Sequence, residues 1–333
     1  MHDRRSAAFR GIRWAAVALA ALVMVAAASP ARAAGDEDFK GWFLTLDAAL
    51  TQPTGLEQQV AYHTVPTGSG VALDRLIMDN DADFTGMVKF GYGFGNGLGR
   101  LQVSFWGFDN EDEMSTTVSG GVVPTVFGYG YSGMYLYDYG YDIEVQARSK
   151  VQAATFDIDY LRSYAVGKKT TVTWLAGLRS ATYEETVDFV GTELYYGEVY
   201  EQHKHFDADA LGLKLGAAVK FGFTDHFALD GSTTFSFLQG STEGDAYQAF
   251  PVGWTETLTG KDDNVRGEIR EFDLKANWSY GMMDYFVGYR MESWDGLVID
   301  PVMATGFNSS SQGRDTVSFN SLHAGVTFKF GQK

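Results

Sequence analysis

Ten segments of this 333-residue chain alternate apolar and polar residues, and the gaps between them alternate between very short and very long. The segments are residues 41–50, 83–94, 99–109, 150–166, 170–185, 205–223, 227–241, 268–280, 285–296 and 316–330. The gaps 95–98, 167–169, 224–226 and 281–284 hold three or four residues, whereas 51–82, 110–149, 186–204, 242–267 and 297–315 hold nineteen to forty. Period-two alternation indicates half-exposed β-strands. An up-and-down transmembrane β-barrel joins such strands by short periplasmic turns and long outer loops. The sequence therefore predicts an all-β, antiparallel barrel of about ten strands that forms a single domain over residues 41–330.

The number of strands has alternatives. The gap 110–149 is long enough to contain a further hairpin, which would lie in its tyrosine- and glycine-rich part, residues 127–142. Eight or twelve strands are therefore compatible with the pattern, since bacterial barrels have even counts. A soluble β-sandwich would also alternate apolar and polar residues, but it has no reason to alternate short and long connections.

The N-terminus predicts export. Arginines 4, 5, 10 and 13 precede an apolar run over residues 14–28, and a small-x-small motif follows at 31–33. This arrangement is typical of a secretory signal peptide, here residues 1–33, that is cleaved after export. We therefore expect the Sec pathway, the barrel-assembly machinery and the bacterial outer membrane as destination. Residues 34–40 would form a short periplasmic tail and 331–333 a C-terminal tail.

Proline positions agree with these segments. Proline cannot donate a hydrogen bond to a neighbouring strand and is largely excluded from central strands. The prolines beyond the signal peptide are Pro53, Pro66, Pro124, Pro251 and Pro301. All five fall in predicted long loops.

One side of each segment is predicted to face lipid, because it is uninterrupted and apolar. Such sides are Phe84, Val88, Phe90, Tyr92 and Phe94; Leu211, Leu213, Leu215, Ala217, Val219, Phe221 and Phe223; Phe272, Leu274, Ala276, Trp278 and Tyr280; Tyr285, Val287, Tyr289 and Met291; and Leu322, Ala324, Val326, Phe328 and Phe330. The opposite sides carry charges and are predicted to face the lumen.

The short turns predict which lumen charges meet. Centring the 167–169 turn on Lys168 places Asp157 opposite Arg179, and centring the next turn on Asp225 places Lys220 opposite Asp230. The gap 281–284 places Lys275 opposite Arg290 and Asp273 opposite Glu292, with complementary diagonal pairs. Diagonal neighbours on one face of a sheet remain within reach of long side chains.

These inward charges have two interpretations. They either fill a narrow lumen as ion pairs, or they line a water-filled passage that filters solutes by size and charge. The candidate pore-lining residues are Lys89, Asp157, Asp159, Arg179, Lys214, Lys220, Asp230, Asp273, Lys275, Arg290 and Glu292. We expect a porin-like passive channel for small hydrophilic solutes. The alternative is a non-conducting structural or adhesive surface barrel, and ten strands permit only a small pore.

The outer mouth is predicted to be acidic. Removal of residues 1–33 leaves a formal net charge of −20, and the five long gaps hold 21 acidic against six basic residues. Prominent among the acidic ones are Glu111, Asp112, Glu113, Glu243, Asp245, Asp262 and Asp263. Carboxylates around an entrance concentrate cations, so we expect a weak cation preference that fades as salt is raised. Divalent cations could also bridge these loops to lipopolysaccharide.

The sequence contains few motifs that would indicate an enzyme. The chain has no cysteine, no G-x-S-x-G elbow and no H-E-x-x-H pair, and the glycine-rich run at 91–99 lacks the dinucleotide-binding spacing. His63, His203 and His205 beside loop carboxylates keep an outer-membrane protease as a third alternative, but we expect no enzyme, cofactor or metal. An acidic chain without a basic stripe also gives no sign of nucleic-acid binding. The oligomeric state is left open.

The middle quarter of the chain resembles a known family. Residues 156–160, the turn at 167–169 and residues 174–181 are similar to the central hairpin of the pore-forming outer-membrane family typified by the Legionella major outer-membrane protein. The next hairpin, with residues 211–213 and 229–232, resembles that family's continuation. The resemblance implies a passive porin.

Overall fold

The computed structural model describes residues 39–56, 58–67, 70–78, 81–119, 122–124, 142–249, 253, 255–298 and 316–332. Thirteen strands form in these ranges: β1 (Lys40–Thr54), β2 (Gln58–Thr67), β3 (Gly70–Met78), β4 (Asp83–Phe94), β5 (Arg100–Ser119), β6 (Val122–Pro124), β7 (Asp142–Ala165), β8 (Thr170–Glu193), β9 (Val199–Gly222), β10 (Phe227–Ala249), β11 (Thr255–Tyr280), β12 (Met283–Asp295) and β13 (Thr316–Gln332). No helix among the described residues is long and apolar enough to cross a membrane.

Ten of the strands close into one antiparallel barrel, in the order β1-β13-β12-β11-β10-β9-β8-β7-β5-β4. The predicted fold and strand number are therefore confirmed. The N-terminal strand β1 closes the ring by pairing with both β4 and the C-terminal strand β13. A closed ring leaves no sheet edge within the membrane, which is the condition for strands to span lipid. The remaining strands form a small separate sheet of order β3-β2-β6.

The predicted lipid-facing residues lie on the outside of the barrel. Their exposed fractions are high for apolar side chains, for example 61% for Leu213, 62% for Trp278 and 63% for Leu322. Their strand neighbours in sequence point inward and are buried or half-buried. The apolar outer face and the short turns at one end define the orientation, with the turns on the periplasmic side.

The barrel strands are longer than predicted at their outer ends. Six of them, β5 and β7 to β11, continue far into the predicted loops 110–149, 186–204 and 242–267. The strands β12, β13, β1 and β4 stop near the outer edge of the apolar band, so the outer part is a curved six-stranded sheet that we call the outer wall. It comprises residues 110–119, 142–152, 183–193, 199–209, 239–249 and 255–268. The prediction failed here because the outer face of the wall meets water, so apolar alternation disappears from the sequence.

The small sheet covers the inner face of the outer wall. Ala61 of β2, Met78 of β3 and Val122 of β6 are buried in one apolar cluster with Ile143, Val145, Val187 and Phe189 of the wall. Part of the predicted loop 51–82 is therefore the hairpin of β2 and β3. Residues 125–141, where a further hairpin was considered, lie outside the described residues, as does the predicted signal peptide.

Two further corrections concern prolines and termini. Pro53 lies in β1, Pro66 in β2 and Pro124 in β6, whereas all were expected in loops; Pro251 and Pro301 lie outside the described residues. At Pro53 strand β1 pairs only with β13, because its pairing with β4 ends at Thr51 and Asp83. A proline at such a one-sided position removes no ladder bond to β4. Strand β13 runs to Gln332 and so includes most of the predicted C-terminal tail.

Candidate functional site: the lumen and its aromatic closure

Short turns set the register that brings lumen charges together. Asp157 pairs with Arg179 and Lys220 with Asp230, as predicted. At the fourth turn only Gly281 and Met282 separate the strands, so Asp273 pairs directly with Arg290 and Lys275 with Gly288. The predicted register there was wrong by two residues, because the turn is shorter than the assumed four. The shift keeps each side chain on its face, since the strand period is two.

Arg179 forms the centre of a buried ionic layer. Its Nε and Nη2 donate to the two carboxylate oxygens of Asp157 at 2.7 Å each, and Nη2 also donates to Glu271 at 3.0 Å. Lys214 lies 2.5 Å from Asp157, 3.5 Å from Asp159 and 3.6 Å from Glu271. Arg179 is 1% exposed. The layer therefore links β7, β8, β9 and β11 across the lumen.

A second ionic cluster joins the other side of the ring around His323. The Nδ1 atom of His323 lies 3.1 Å from Asp47 Oδ2, and its Nε2 atom lies 3.1 Å from Asp273 Oδ1. Arg290 Nη2 donates to Asp47 at 2.6 Å, and Lys275 lies 3.0 Å from Asp273. Strands β1, β11, β12 and β13 are thereby tied together inside the barrel.

The sequence prediction missed Asp47, Glu271 and His323. Each of them follows the period-two pattern: Glu271 has the parity of Asp273, and His323 lies between lipid-facing Leu322 and Ala324. A strict parity count on the strands would have found all three. Their partners across the lumen could not be found in that way. Odd or even position along a strand shows which face of the sheet a side chain is on, but not how far it lies from side chains on distant strands.

A polar cavity of about 240 Å³ lies below these clusters, toward the periplasmic side. Its charged lining residues are Asp47, Lys89, Arg100, Asp157, Asp159, Lys214, Lys220, Asp230, Glu271, Asp273, Lys275, Asp284, Arg290 and Lys329. Nine of the eleven predicted pore-lining residues are among them. Arg179 is buried within the ionic layer, and Glu292 accepts a hydrogen bond from Trp294 Nε1 at 2.7 Å. Acidic and basic side chains are equal in number around the cavity, seven of each.

An aromatic layer lies above the ionic clusters. The ring centroids of Trp106 and Trp294 are 6.3 Å apart, and those of Tyr183 and Trp294 are 6.5 Å apart. Trp106 also contacts Phe319 at 5.3 Å. The contacts of Trp294 with Trp106 and with Tyr183 each join strands that are four positions apart in the ten-strand ring, where opposite strands are five positions apart. The rings therefore meet across the lumen.

The aromatic layer is buried. Trp106, Tyr183, Trp294 and Phe319 are at most 2% exposed and belong to one apolar cluster with Leu297, Val298 and other inward side chains. Aromatic pairs at these centroid distances add to the stability gained by burial of their area. The sequence pattern gave no sign of this layer, because its members are distant in sequence and lie where predicted strands end.

The acidic residues of the predicted outer mouth lie above the aromatic layer, on strands of the outer wall. Glu111, Asp112 and Glu113 are on β5, Glu243 and Asp245 on β10, and Asp262 and Asp263 on β11. Several are ion-paired on the surface: Arg148 lies 2.5 Å from Glu111 and 3.6 Å from Glu113, and Lys261 lies 3.1 Å from Asp263.

Of the histidines considered for a protease, His203 and His205 make separate side-chain contacts on β9. His203 and His205 lie on β9 in the outer wall, and His63 lies on β2. His203 Nδ1 lies 2.5 Å from Asp188, and this hydrogen bond raises the pKa of His203 above its usual value. His205 Nδ1 lies 3.2 Å from Thr186 Oγ1. Among the described residues, no group of three or more His, Asp or Glu side chains is arranged to hold a metal ion.

Comparison with known proteins gives structural neighbours only. No protein-family model and no curated protein matches the sequence, so the Legionella-type resemblance stays a prediction. Similar solved structures include the outer membrane protease OmpT from Escherichia coli, with 11% identity, a TM-score of 0.45 and coverage of 87% of this chain and 97% of that one. The Pseudomonas putida toluene transporter TodX has 9% identity, a TM-score of 0.33 and coverage of 88% and 91%. The outer membrane protein AlkL has 11% identity, a TM-score of 0.27 and coverage of 91% and 95%.

The closed ring, the apolar outer band and the short turns at one end define the class of this protein. It is a bacterial outer-membrane β-barrel of ten strands.

Proposed function

We propose that this barrel is a surface protein that does not conduct solutes through its lumen, and that its outer wall carries the function. The single observation behind the proposal is the contact of Trp106 and Tyr183 with Trp294 across the lumen. Hydrophobic constrictions exclude water and therefore ions. A dry aromatic layer at this level closes the path from the cell exterior to the polar cavity.

The ionic layer below adds a second barrier. Arg179 is joined to Asp157 and to Glu271 by direct hydrogen bonds rather than through a water-filled gap. Removing one member of such a buried set leaves an uncompensated charge, so the pairs hold the strands together. This favours the interpretation of the predicted pore-lining residues as packing groups.

The outer wall has the properties of a binding platform. It has its own apolar core, and the hairpin tip between β8 and β9 exposes Leu194, Tyr195 and Tyr196 by 52%, 68% and 69%. The carboxylate of Glu193 accepts hydrogen bonds from the backbone N–H groups of Tyr195 and Tyr196, which fixes the tip. Tyrosine is enriched in protein interfaces. A rigid tip with exposed aromatic side chains above the membrane supports a role in surface recognition.

The second candidate is the passive channel expected from the sequence. The polar cavity with nine of the predicted lining residues favours it. The cavity itself has no excess of either charge, so any weak cation preference would arise from acidic residues of the outer wall.

Planar-bilayer recording of the purified, signal-free protein separates the two candidates. We expect no discrete conductance steps from the wild-type protein after insertion has been verified by protease protection of the barrel. The variant Trp294→Ala removes the ring at the centre of the aromatic layer and should give occasional conductance steps that the wild type lacks. Trp278→Ala, which removes a lipid-facing ring, is its matched control and should stay silent.

Discrete steps from the wild-type protein would contradict the proposal and favour the channel. In that case, reversal potentials under a potassium chloride gradient test the charge preference, and a preference for chloride at low salt would exclude the predicted cation selectivity.

A further inference from the structure

A groove of about 600 Å³ lies on the outside of the barrel, where β9, β10 and β11 leave the apolar band beside the end of β12. Its floor is formed by Leu211, Leu213 and Phe237, which are 61%, 61% and 55% exposed. These residues continue the lipid-facing rows of β9 and β10 without interruption. The floor is therefore part of the surface that contacts hydrocarbon.

Glycines keep the groove open. Strand β12 ends at Asp295, and Gly296 follows with a φ of +74°, a conformation that favours glycine. The chain then turns inward, so that Leu297 is buried against Gly267, where a Cβ atom would overlap the leucine side chain. Leu297 and Val298 therefore lie inside the barrel, and no described residue covers the outer surface beside β11.

Two arginines on the outward row of β11 line the groove: Arg266 lies at its outer end, and Arg270 lies deeper, in register with Phe235. Arg266 is exposed and pairs in register with Gln239, which in turn pairs with Leu211. Arg270 donates from Nε and Nη2 to Glu268 at 3.2 and 2.7 Å and lies 3.8 Å from Asp295. Within the part of the chain that the structure describes, no ion pair involves Arg266. Glu268 and Asp295, which also line the groove, therefore hold Arg270 in place, and the guanidinium of Arg266 remains available to an anion.

We propose that this groove binds one phosphorylated glycolipid of the outer leaflet, with an acyl chain on Leu211, Leu213 and Phe237 and a phosphate at Arg266 and Arg270. Guanidinium groups bind phosphate through paired, charge-assisted hydrogen bonds. Basic side chains next to a hydrocarbon-facing surface recognise anionic lipid head groups in the same way. Because the groove is continuous with the lipid-facing band, we assign the bound phosphate to a lipid head group rather than to a free anion. This mode of lipid binding differs from the one predicted from the sequence, in which divalent cations bridge the acidic loops to lipopolysaccharide.

Another exposed arginine, on the outer wall, lacks this arrangement. Arg148 on β7 is also paired with two carboxylates, Glu111 and Glu113. On its outward row the next side chains toward the membrane are Lys150 and Gln152, so no apolar floor lies directly below it. Arg148 is therefore a matched control, with the same chemistry but without the groove.

The test is lipid binding by the full-length protein, purified in detergent and freed of lipid. Native mass spectrometry counts bound lipid, and thermal unfolding gives the midpoint with bis-phosphorylated lipid A, with dephosphorylated lipid A and with inorganic phosphate alone. We expect a one-to-one complex and a raised midpoint with bis-phosphorylated lipid A. The double variant Arg266→Ala/Arg270→Ala should weaken binding about tenfold or more. Arg148→Ala should bind as the wild type does.

Heat-modifiable migration on a gel confirms that each variant is folded before binding is compared. Equal affinity of the double variant and the wild type overturns the assignment. So does equal stabilisation by inorganic phosphate, which would indicate an anion site without lipid, or by dephosphorylated lipid A, which would indicate acyl binding without the arginines.

Discussion

Arg179 joins three strands inside the barrel, because its guanidinium contacts Asp157 on β7 and Glu271 on β11 from its own position on β8. We expect Arg179→Ala to lower the free energy of unfolding by about 3–5 kcal/mol, since it leaves buried carboxylates short of a cation. Urea unfolding in lipid vesicles gives the midpoint. Arg148→Ala is the control, because its ion pairs are exposed and worth at most about 1 kcal/mol.

The pairing itself is tested by a double-mutant cycle with Asp157→Ala. The energetic effects of substitutions within one buried network are not additive. The double variant should therefore lose less free energy of unfolding than the sum of the losses in the two single variants. Additive losses would show that Arg179 and Asp157 act independently. A nearly neutral Arg179→Ala would show that the lumen at this level is wet.

At the scale of the strand, Gly177 illustrates how closely β7 and β8 approach. It pairs with Asp159 on β7 and with Lys214 on β9, and a Cβ atom there would overlap Oδ1 of Asp159. We expect Gly177→Ala to cost about 1–3 kcal/mol through overpacking. Gly86→Ala on β4 is the matched control, because the nearest atom to its Cβ would be the backbone oxygen of Asp47 at 3.8 Å. Thermal unfolding midpoints compare the two, and equal shifts would contradict the close approach.

The register between paired strands could be predicted from the sequence only where the length of the connecting turn could be predicted. Registers around Lys168 and Asp225 followed from symmetric turns, whereas the register of β11 and β12 depended on whether two or four residues form the turn. The glycine-rich run forms a strand end and a turn as expected, with positive φ at Gly95, Gly97 and Gly99. Turn length is a local property, but it is fixed only when both flanking strands are in place.

At the scale of the whole molecule, the orientation in the membrane is testable because the chain contains no cysteine. Tyr196 is exposed at the tip of the outer wall, and Lys168 lies in the short turn between β7 and β8. A membrane-impermeant maleimide should label a Tyr196→Cys variant on intact cells. A Lys168→Cys variant should be labelled only after the outer membrane is disrupted. The reverse pattern would invert the assigned orientation.

The sequence by itself predicted about ten barrel strands, their antiparallel order, the end that carries the short turns, and the lipid-facing side of β4, β9, β11, β12 and β13. These follow from period-two alternation and loop length, which are properties of neighbouring residues. Only the tertiary structure decided what fills the lumen. Trp106, Tyr183 and Trp294 come from three strands far apart in sequence, and they meet only because the ring closes. The outer wall was also undetermined by sequence, because strands that meet water on one face and a small covering sheet on the other keep no lipid-facing pattern.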